Sequence, residues 1–244
     1  MSAPGMRSER AGPSALLTAA ALLVLVAACT LVFASSATRE FGHRLIRENG
    51  PIEMATFTVF LAGGVIALMA TSRGRLMGTS PALLSVIGGF AIAWLFAGME
   101  EISWGQSLIG FSSPAVMQRV NVQNEINLHN LEGVQNLHSF LLFVLGTVGL
   151  VCATTLDRWR FPELRIPGSV RVCFAVVAML GLFDWITDNF PFGDPADTVI
   201  GMLAEVNEMV LALAGLLFAI ELAARFTAVA RVRETLADPA RLLD

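Results

Sequence analysis

Residues 76–99 read LMGTSPALLSVIGGFAIAWLFAGM, and this stretch contains no charged side chain. A helix needs about 20 mostly apolar residues to cross the hydrocarbon core of a bilayer, which is roughly 30 Å thick. The stretch is long, rich in Leu, Ala and Gly, and lacks the alternation of apolar and polar residues that marks a strand. We therefore predict a membrane-spanning helix near 82–101.

Five further segments have the same length and character. The six predicted spans lie near 14–34, 51–71, 82–101, 135–156, 169–188 and 200–222. The last two are less uniform, because each carries carboxylates within its span. The sequence shows neither an internal repeat nor a low-complexity linker, so we expect one all-α domain over 1–244. This domain would be a polytopic bundle of about six spanning helices, with an outer loop over 102–134.

The composition of the chain excludes several classes of protein. Of its 244 residues, 55% are hydrophobic and 15% are charged, whereas a soluble domain usually has about 25% charged residues. A soluble enzyme and a disordered scaffold are therefore ruled out, and the lipid bilayer is the expected partner. The net charge of −4 and the scattered Arg residues argue against a nucleic-acid partner. The three Cys residues lie in apolar runs without paired spacing, so neither a disulfide framework nor a zinc knuckle is expected.

The distribution of Arg residues predicts the orientation of the bundle. With a cytoplasmic N-terminus, 12 of the 16 Arg residues lie on the inner side, as the positive-inside rule requires. The Arg residues left on the outer side are Arg39, Arg44, Arg47 and Arg119. We therefore predict a multi-pass protein of a bacterial inner membrane, with both termini cytoplasmic and the 102–134 loop outside.

The most polar stretch runs from the end of the third predicted span to the start of the fourth. Residues 99–106 read MEEISWGQ, residues 121–130 read NVQNEINLHN, and residues 135–138 read QNLH. Such a mixture of Glu, amides and His beside apolar spans predicts polar groups that are folded into protein and bonded to one another. If 123–131 forms one or two helical turns, Glu125 and His129 lie on the same helix face.

Carboxylates and imidazoles at the outer ends of the spans form a possible ring. At about 1.5 Å per residue, Glu208 lies on the order of 10 Å inside its span, where a lone carboxylate costs roughly 2.5–3.5 kcal/mol. It should therefore face the bundle interior or find a partner. The members of the ring are Glu53, Glu100, Glu101, Glu125, His129, His138, Asp184, Asp188, Glu205 and Glu208.

The first interpretation of this ring is a metal site. Carboxylates with imidazoles suit zinc, manganese or iron, and a bound metal makes hydroxide available at neutral pH. The predicted ligands are Glu101, His129, His138, Asp188 and Glu208. We assign Glu125 as the general base and Glu100 as a reserve acid, although no HExxH signature is present. The leading hypothesis is a metal-dependent enzyme acting on a lipid or lipid-linked substrate from the outer leaflet.

Two other interpretations stay open. Membrane-embedded carboxylates also mark cation or proton paths, although the inner half of the bundle carries few ionisable groups to continue a relay. Alternatively, the carboxylates cap helices and the amides hold a loop in place. The alternative function is therefore a non-catalytic binding, scaffold or cation-transport component.

The Trp residues suggest a membrane-interface belt. Trp94, Trp104 and Trp185 lie at or near the predicted outer boundary of their spans. Trp is enriched where the bilayer meets water. We therefore interpret all three as interfacial anchors.

The polar motifs also carry a resemblance. Residues 100–106, EEISWGQ, and residues 121–130, which end in NLHN, resemble a bacterial family of polytopic membrane proteins that has no assigned activity. Residues 48–53, ENGPIE, look like the same family's pattern. The similarity extends from 48 to about 138. It implies an integral bacterial membrane protein whose polar loop belongs to the pattern of that family, and it implies no substrate, cofactor or catalytic residue.

Overall fold

The computed structural model of the protein describes residues 13–47, 49–155 and 164–237. The helices are α1 (Pro13–Ala34), α2 (Arg39–Ile46), α3 (Pro51–Leu76), α4 (Pro81–Glu101), α5 (Gln106–Ile109), α6 (Met117–Val120), α7 (His138–Thr155), α8 (Gly168–Asn189) and α9 (Ala196–Ala237). Short 3-10 turns cover Ser103–Gly105 and Gln135–Leu137. In these ranges the one β-type pairing is an isolated bridge between Asn121 and Leu131.

Six helices in the described part of the chain are long and apolar enough to cross a membrane: α1, α3, α4, α7, α8 and α9. This confirms the predicted all-α bundle of six spans. Helix α9 is longer than the predicted 200–222, since its 42 residues extend for about 63 Å. The Arg residues after 222 lower the hydropathy of the sequence, whereas Ala and Arg both favour continuation of a helix.

Local sequence determines where two of the spans begin. Pro51 and Pro81 each occupy the first turn of a helix, where a missing backbone N–H costs nothing. The hydroxyl of Ser80 caps α4 by accepting a hydrogen bond from the backbone N–H of Leu83 at 3.4 Å. The two helices therefore start directly after their loops.

Successive spans run in opposite directions and pack as one bundle. Helix α3 lies between α4 and α9, α8 lies between α7 and α9, and α1 packs on α8 and α9. The first turns of α3, α7 and α9 therefore meet the last turns of α4 and α8. We call this the polar end of the bundle, because the predicted ring residues lie there.

Helices α7 and α8 approach each other closely through two glycines. A Cβ atom at Gly146 would lie 2.3 Å from the backbone nitrogen of Ala178, and one at Gly181 would lie 2.5 Å from that of Phe143. Small residues allow this near-contact of backbones, which is a main source of helix association in lipid.

The end opposite to the polar end is fastened by Arg residues. The Arg73 guanidinium donates to the Thr227 hydroxyl at 3.1 Å, and Arg225 donates to the backbone carbonyl of Arg165 at 2.7 Å.

Five of the Arg residues used for the predicted orientation lie outside the described residues, as does Glu48 of the resemblance. These Arg residues are Arg7, Arg10, Arg158, Arg160 and Arg241. The orientation therefore stays a prediction.

Candidate functional site

A cavity of about 140 Å³ lies at the polar end, and we call it the polar pocket. Helices α3, α4, α7 and α9 contribute to its walls, and the loop over 102–134, which we call the roof, contributes three side chains. The ionisable side chains that line it are Glu53, Glu101, His129, His138, Glu205 and Glu208. The predicted convergence of the spans on one polar site is therefore present in the structure.

A short contact in the pocket joins α7 to α9. His138 Nε2 lies 2.5 Å from Glu208 Oε1, and Glu101 of α4 lines the same cavity. Glu208 thus has a partner on α7, as expected of a carboxylate at this depth.

The first turn of α3 positions Glu53, which lines the polar pocket. The carboxylate of Glu53 accepts a hydrogen bond from the backbone N–H of Asn49, whose φ of 55° lies in the left-handed region. Asn is one of the few residues that adopt this conformation at low cost. The turn before Pro51 therefore fixes the position of the Glu53 side chain.

The motif EEISWGQ forms a sharp turn at the end of α4. Ser103, Trp104 and Gly105 have φ values of 47°, 57° and 81°, so three consecutive residues are left-handed. Two of them are not glycine, a conformation that persists only where surrounding contacts enforce it. Trp104 Nε1 donates to Glu100 Oε1 at 2.7 Å, which ties the turn back to the last residues of α4.

Amide side chains hold the roof in its conformation. Asn127 is 1% exposed, and its Nδ2 donates to Ser103 Oγ at 2.9 Å and to Glu125 Oε2 at 2.8 Å. Asn121 Nδ2 donates to Asn127 Oδ1 at 2.8 Å. Gln106 Oε1 accepts from the backbone N–H of Ile126 at 2.9 Å. This network confirms that the polar stretch is folded into protein.

Residues 123–131 do not form the helical turns on which a shared face of Glu125 and His129 depends. The segment consists of turns closed by the bridge between Asn121 and Leu131, so Glu125 and His129 do not share a helix face. The physical reason is side-chain competition, since Asn121 Oδ1 accepts from the backbone N–H groups of Gln123 and Glu125 at 3.0 and 3.1 Å. Asn side chains that bond nearby backbone in this way replace helical bonds.

Glu100 and Glu125, the residues assigned acid and base roles, contact the roof and do not line the pocket. Glu125 is 6% exposed and accepts hydrogen bonds from Ser103 and Asn127. Glu100 accepts from the backbone N–H of Leu128 at 2.5 Å and lies 3.9 Å from His129 Nδ1. These contacts give both carboxylates a positioning role, and their catalytic assignment stays a prediction.

The predicted metal ligands are only partly brought together. Glu101, His129, His138 and Glu208 all line the polar pocket, while Asp188 accepts a hydrogen bond from Ser139 at 2.7 Å and lies outside the lining. Across 13–47, 49–155 and 164–237, no group of three or more His, Cys, Asp or Glu side chains is placed to hold a metal ion. The metal site stays a prediction.

Sequence reasoning missed several residues of the pocket. Gln123, Asn130 and Gln135 line it from the roof and the turn before α7, and Ile46 reaches it from α2. The amides belong to the polar stretch that the sequence singled out, but nothing in their spacing shows which of them face the cavity. Helix α2 is short and rich in Arg, so it gives no hydropathy signal.

The interpretation of Trp94 as an interfacial anchor is wrong. Its ring packs inside the bundle, where the centroid lies 4.5 Å from that of Phe90 and 5.7 Å from that of Phe60. A Cβ atom at Gly215 would lie 2.0 Å from this ring, so the missing side chain of Gly215 makes room for it. Trp104 is 40% exposed at the polar end, where an anchor is expected.

A second cavity, of about 460 Å³, lies below the polar pocket, and we call it the apolar cleft. Its walls come mainly from 86–97 of α4, 145–152 of α7 and 211–218 of α9. No charged side chain is among the described residues that line it. The cleft thus offers a hydrocarbon-lined space next to an ionisable one.

These features define a multi-pass integral membrane protein whose polar groups are concentrated at one end of the bundle. Six apolar spans place it in a lipid bilayer. Comparison with family models, curated proteins and solved structures finds no match for the chain. Its function is therefore argued from the site.

Proposed function

We propose that the protein is a membrane enzyme that acts on the polar head of a lipid or lipid-linked molecule. The observation that carries this proposal is the contact of 2.5 Å between His138 Nε2 and Glu208 Oε1 in the wall of a cavity. The pocket lies where α3 and α7 begin and where α4 ends, which is the depth at which lipid head groups occur.

The His138–Glu208 pair supports acid–base chemistry. A histidine that donates its Nε2 hydrogen to a carboxylate keeps Nδ1 as its proton acceptor. In this arrangement His138 takes a proton from an attacking water or hydroxyl and returns it to the leaving group, while Glu208 stabilises the imidazolium.

We propose separately that the pocket binds a divalent metal such as zinc, manganese or iron. It is supported by the presence of Glu101, His129, His138 and Glu208 around one cavity. Elemental analysis of protein purified in detergent, before any chelator is used, tests it. A near-stoichiometric metal would support the hypothesis, and no metal after supply of each ion would remove it.

A second candidate function is non-catalytic capture of a cation or of a cationic head group. The lining of the pocket contains four Glu and two His residues, and no Arg is among its described members. An acidic cavity of this kind concentrates cations. Binding or transport without chemistry would use the same residues.

The resemblance supports a narrower proposal about origin and location. We place the chain with the bacterial membrane family that shares EEISWGQ and NLHN, in an inner membrane with both termini cytoplasmic. The support is the shared motif pattern and the Arg count. The polar end would then face the outer leaflet.

The experiment uses full-length protein in vesicles made from the total lipid of the cells that express it. Mass spectrometry follows the lipid species with time. We expect the wild type to convert one class of lipid, and Glu208→Gln and His138→Gln to lower the rate by about 100-fold or more, the usual range for an acid–base group. Glu132→Gln, at an exposed roof carboxylate, is the matched control and should keep the rate.

Thermal unfolding of each variant in detergent accompanies the assay. A folded Glu208→Gln variant with the wild-type rate would overturn the pocket as the reaction site. Absence of any conversion by the wild type, with and without added metals, would overturn the enzyme and leave the binding function.

A further inference from the structure

We propose that residues 104–117 of the roof, which we call the apolar margin, lie in the head-group region of the lipid leaflet at the polar end. The occupant of this surface is the lipid of the membrane that the spans cross. The inference goes beyond the proposed chemistry of the pocket and does not depend on it, because the margin is a different part of the roof from the side chains that line the pocket.

The composition of the apolar margin is typical of a segment that contacts a membrane. It reads WGQSLIGFSSPAVM, and no charged residue occurs between Glu101 and Arg119. Leu108, Ile109 and Val116 are 64%, 75% and 70% exposed. Single exposed apolar residues are ordinary on a protein surface, whereas several together mark a surface that contacts protein or membrane.

The polarity of the margin is the reverse of that expected for a loop in water. Its apolar side chains lie on the surface, while Ser113 is buried and its hydroxyl donates to Gln106 Oε1 at 3.1 Å. The Gln118 amide, one residue beyond the margin, donates to the Ser113 carbonyl at 2.7 Å. The polar groups are thus bonded within the roof and the apolar groups are left outside. This arrangement is unfavourable in water and favourable in lipid.

The margin continues the lipid-facing surface of α4. Ile92 and Phe96, one turn apart, are exposed on this span. The left-handed turn after α4 folds Trp104 back toward the span, so that its ring centroid lies 5.4 Å from that of Phe96. Ile109 packs over the same turn, because a Cβ atom at Gly105 would lie 3.5 Å from Ile109 Cδ1. One apolar surface therefore runs from α4 through Trp104 to Ile109.

The length of α4 indicates the depth of the margin. Its 21 residues extend for about 31 Å, which matches the roughly 30 Å hydrocarbon core. The margin begins three residues after this span ends at Glu101, and Trp is enriched at that depth. Residues 110–116 form turns and irregular backbone, which hydrocarbon excludes and water tolerates. The head-group region is the place that satisfies both conditions.

A second loop at the polar end exposes apolar side chains in the same way. Phe190 and Phe192 follow α8 and are exposed, while the Asp197 carboxylate accepts from the backbone N–H groups of Phe192 and Gly193 at 2.9 and 2.8 Å. Helix α4 packs on α3, whereas α8 packs on α7, α9 and α1, so the two loops leave the bundle at different places. A leaflet surrounds the bundle at one depth, whereas a protein partner covers one side. The two loops together therefore favour lipid as the occupant.

Fluorescence quenching of the full-length protein in lipid nanodiscs, loaded with one copy per disc, tests the inference. In a cysteine-free background, an environment-sensitive fluorophore is attached to Ile109→Cys in the margin, to Ile92→Cys in the span or to Glu132→Cys at an exposed roof carboxylate. The quenchers are iodide in the water, a spin label near the lipid head group and a spin label at the end of the acyl chain.

Each position should respond most strongly to a different quencher. We expect the head-group label to quench position 109 most strongly and iodide to quench position 132 most strongly. Ile92 lies about 14 Å before the end of α4, so the chain-end label should quench that position most strongly. The emission at 109 should be shifted to shorter wavelength than that at 132, because the fluorophore leaves water.

Iodide quenching at 109 equal to that at 132, in a variant with the wild-type unfolding temperature, would overturn the inference. Val116→Cys, near the other end of the margin, repeats the measurement, so the result does not depend on one substitution. Shielding from iodide only in discs that hold two copies, without quenching by either lipid label, would show contact between proteins and would overturn it as well. Head-group quenching at both 109 and 116 supports the inference whether or not lipid conversion is observed.

Discussion

Replacing Asn127 by Ala should release the roof from the bundle without unfolding the spans. The side chain is 1% exposed. It donates to Ser103 Oγ at 2.9 Å and to Glu125 Oε2 at 2.8 Å, and it accepts from Asn121 Nδ2 at 2.8 Å. A neutral hydrogen bond contributes about 1 kcal/mol and one to a charged group about 1.5–3 kcal/mol. The variant should therefore lose about 3–5 kcal/mol of local stability.

Hydrogen–deuterium exchange of the backbone amides in 121–131 measures this loss. A local change of about 3 kcal/mol corresponds to exchange that is faster by about 100-fold. Gln118→Ala is the matched control, because the Gln118 amide makes one neutral bond, 2.7 Å long, to the carbonyl of Ser113. That variant should accelerate exchange by about fivefold. If Asn127→Ala accelerates exchange no more than Gln118→Ala does, the network does not hold the roof.

Two further predictions concern the bundle and its orientation. Gly146→Ala should lower the free energy of unfolding by about 1–3 kcal/mol, because the new Cβ would lie 2.3 Å from the Ala178 backbone, whereas Gly89→Ala meets nothing within 4 Å and should not. Denaturant unfolding in micelles measures both, and equal stability of the two variants would contradict the close packing of α7 and α8. In a cysteine-free background, Glu132→Cys should react with an impermeant maleimide in intact cells, and Arg75→Cys should react only after permeabilisation. The reverse pattern would invert the predicted orientation.

Most of the bundle could be predicted from the sequence because a bilayer imposes a minimum length on apolar segments. The charge-free stretch 76–99 yields α4 within a few residues. The same rule cannot find α2, which is short and carries several charges, and it cannot find the end of α9, where Arg residues lower the hydropathy while the helix continues. It also does not tell which face of α4 carries Trp94, and this is why the sequence alone predicts a membrane-interface position for its indole.

The membership of the pocket could be predicted because alternating spans bring their ends together. Predicting that Glu101, His138 and Glu208 lie at the same end of the bundle requires only the direction in which each helix runs. The roof could not be predicted, because its structure depends on pairings distant in sequence, such as Ser103 with Asn127. The left-handed residues at 103–105 follow from these contacts and leave no periodic pattern in the sequence.

The length of α9 joins the polar end of the bundle to the opposite end through one continuous helix. This one helix carries Glu205 and Glu208 in its first third and runs on to Ala237. It contains no Pro over this distance, and its last Gly is Gly215, so it has few points at which to bend. A continuous helix of this kind fixes the distance between its two ends, so the carboxylates of Glu205 and Glu208 keep a set position relative to the far end of α9.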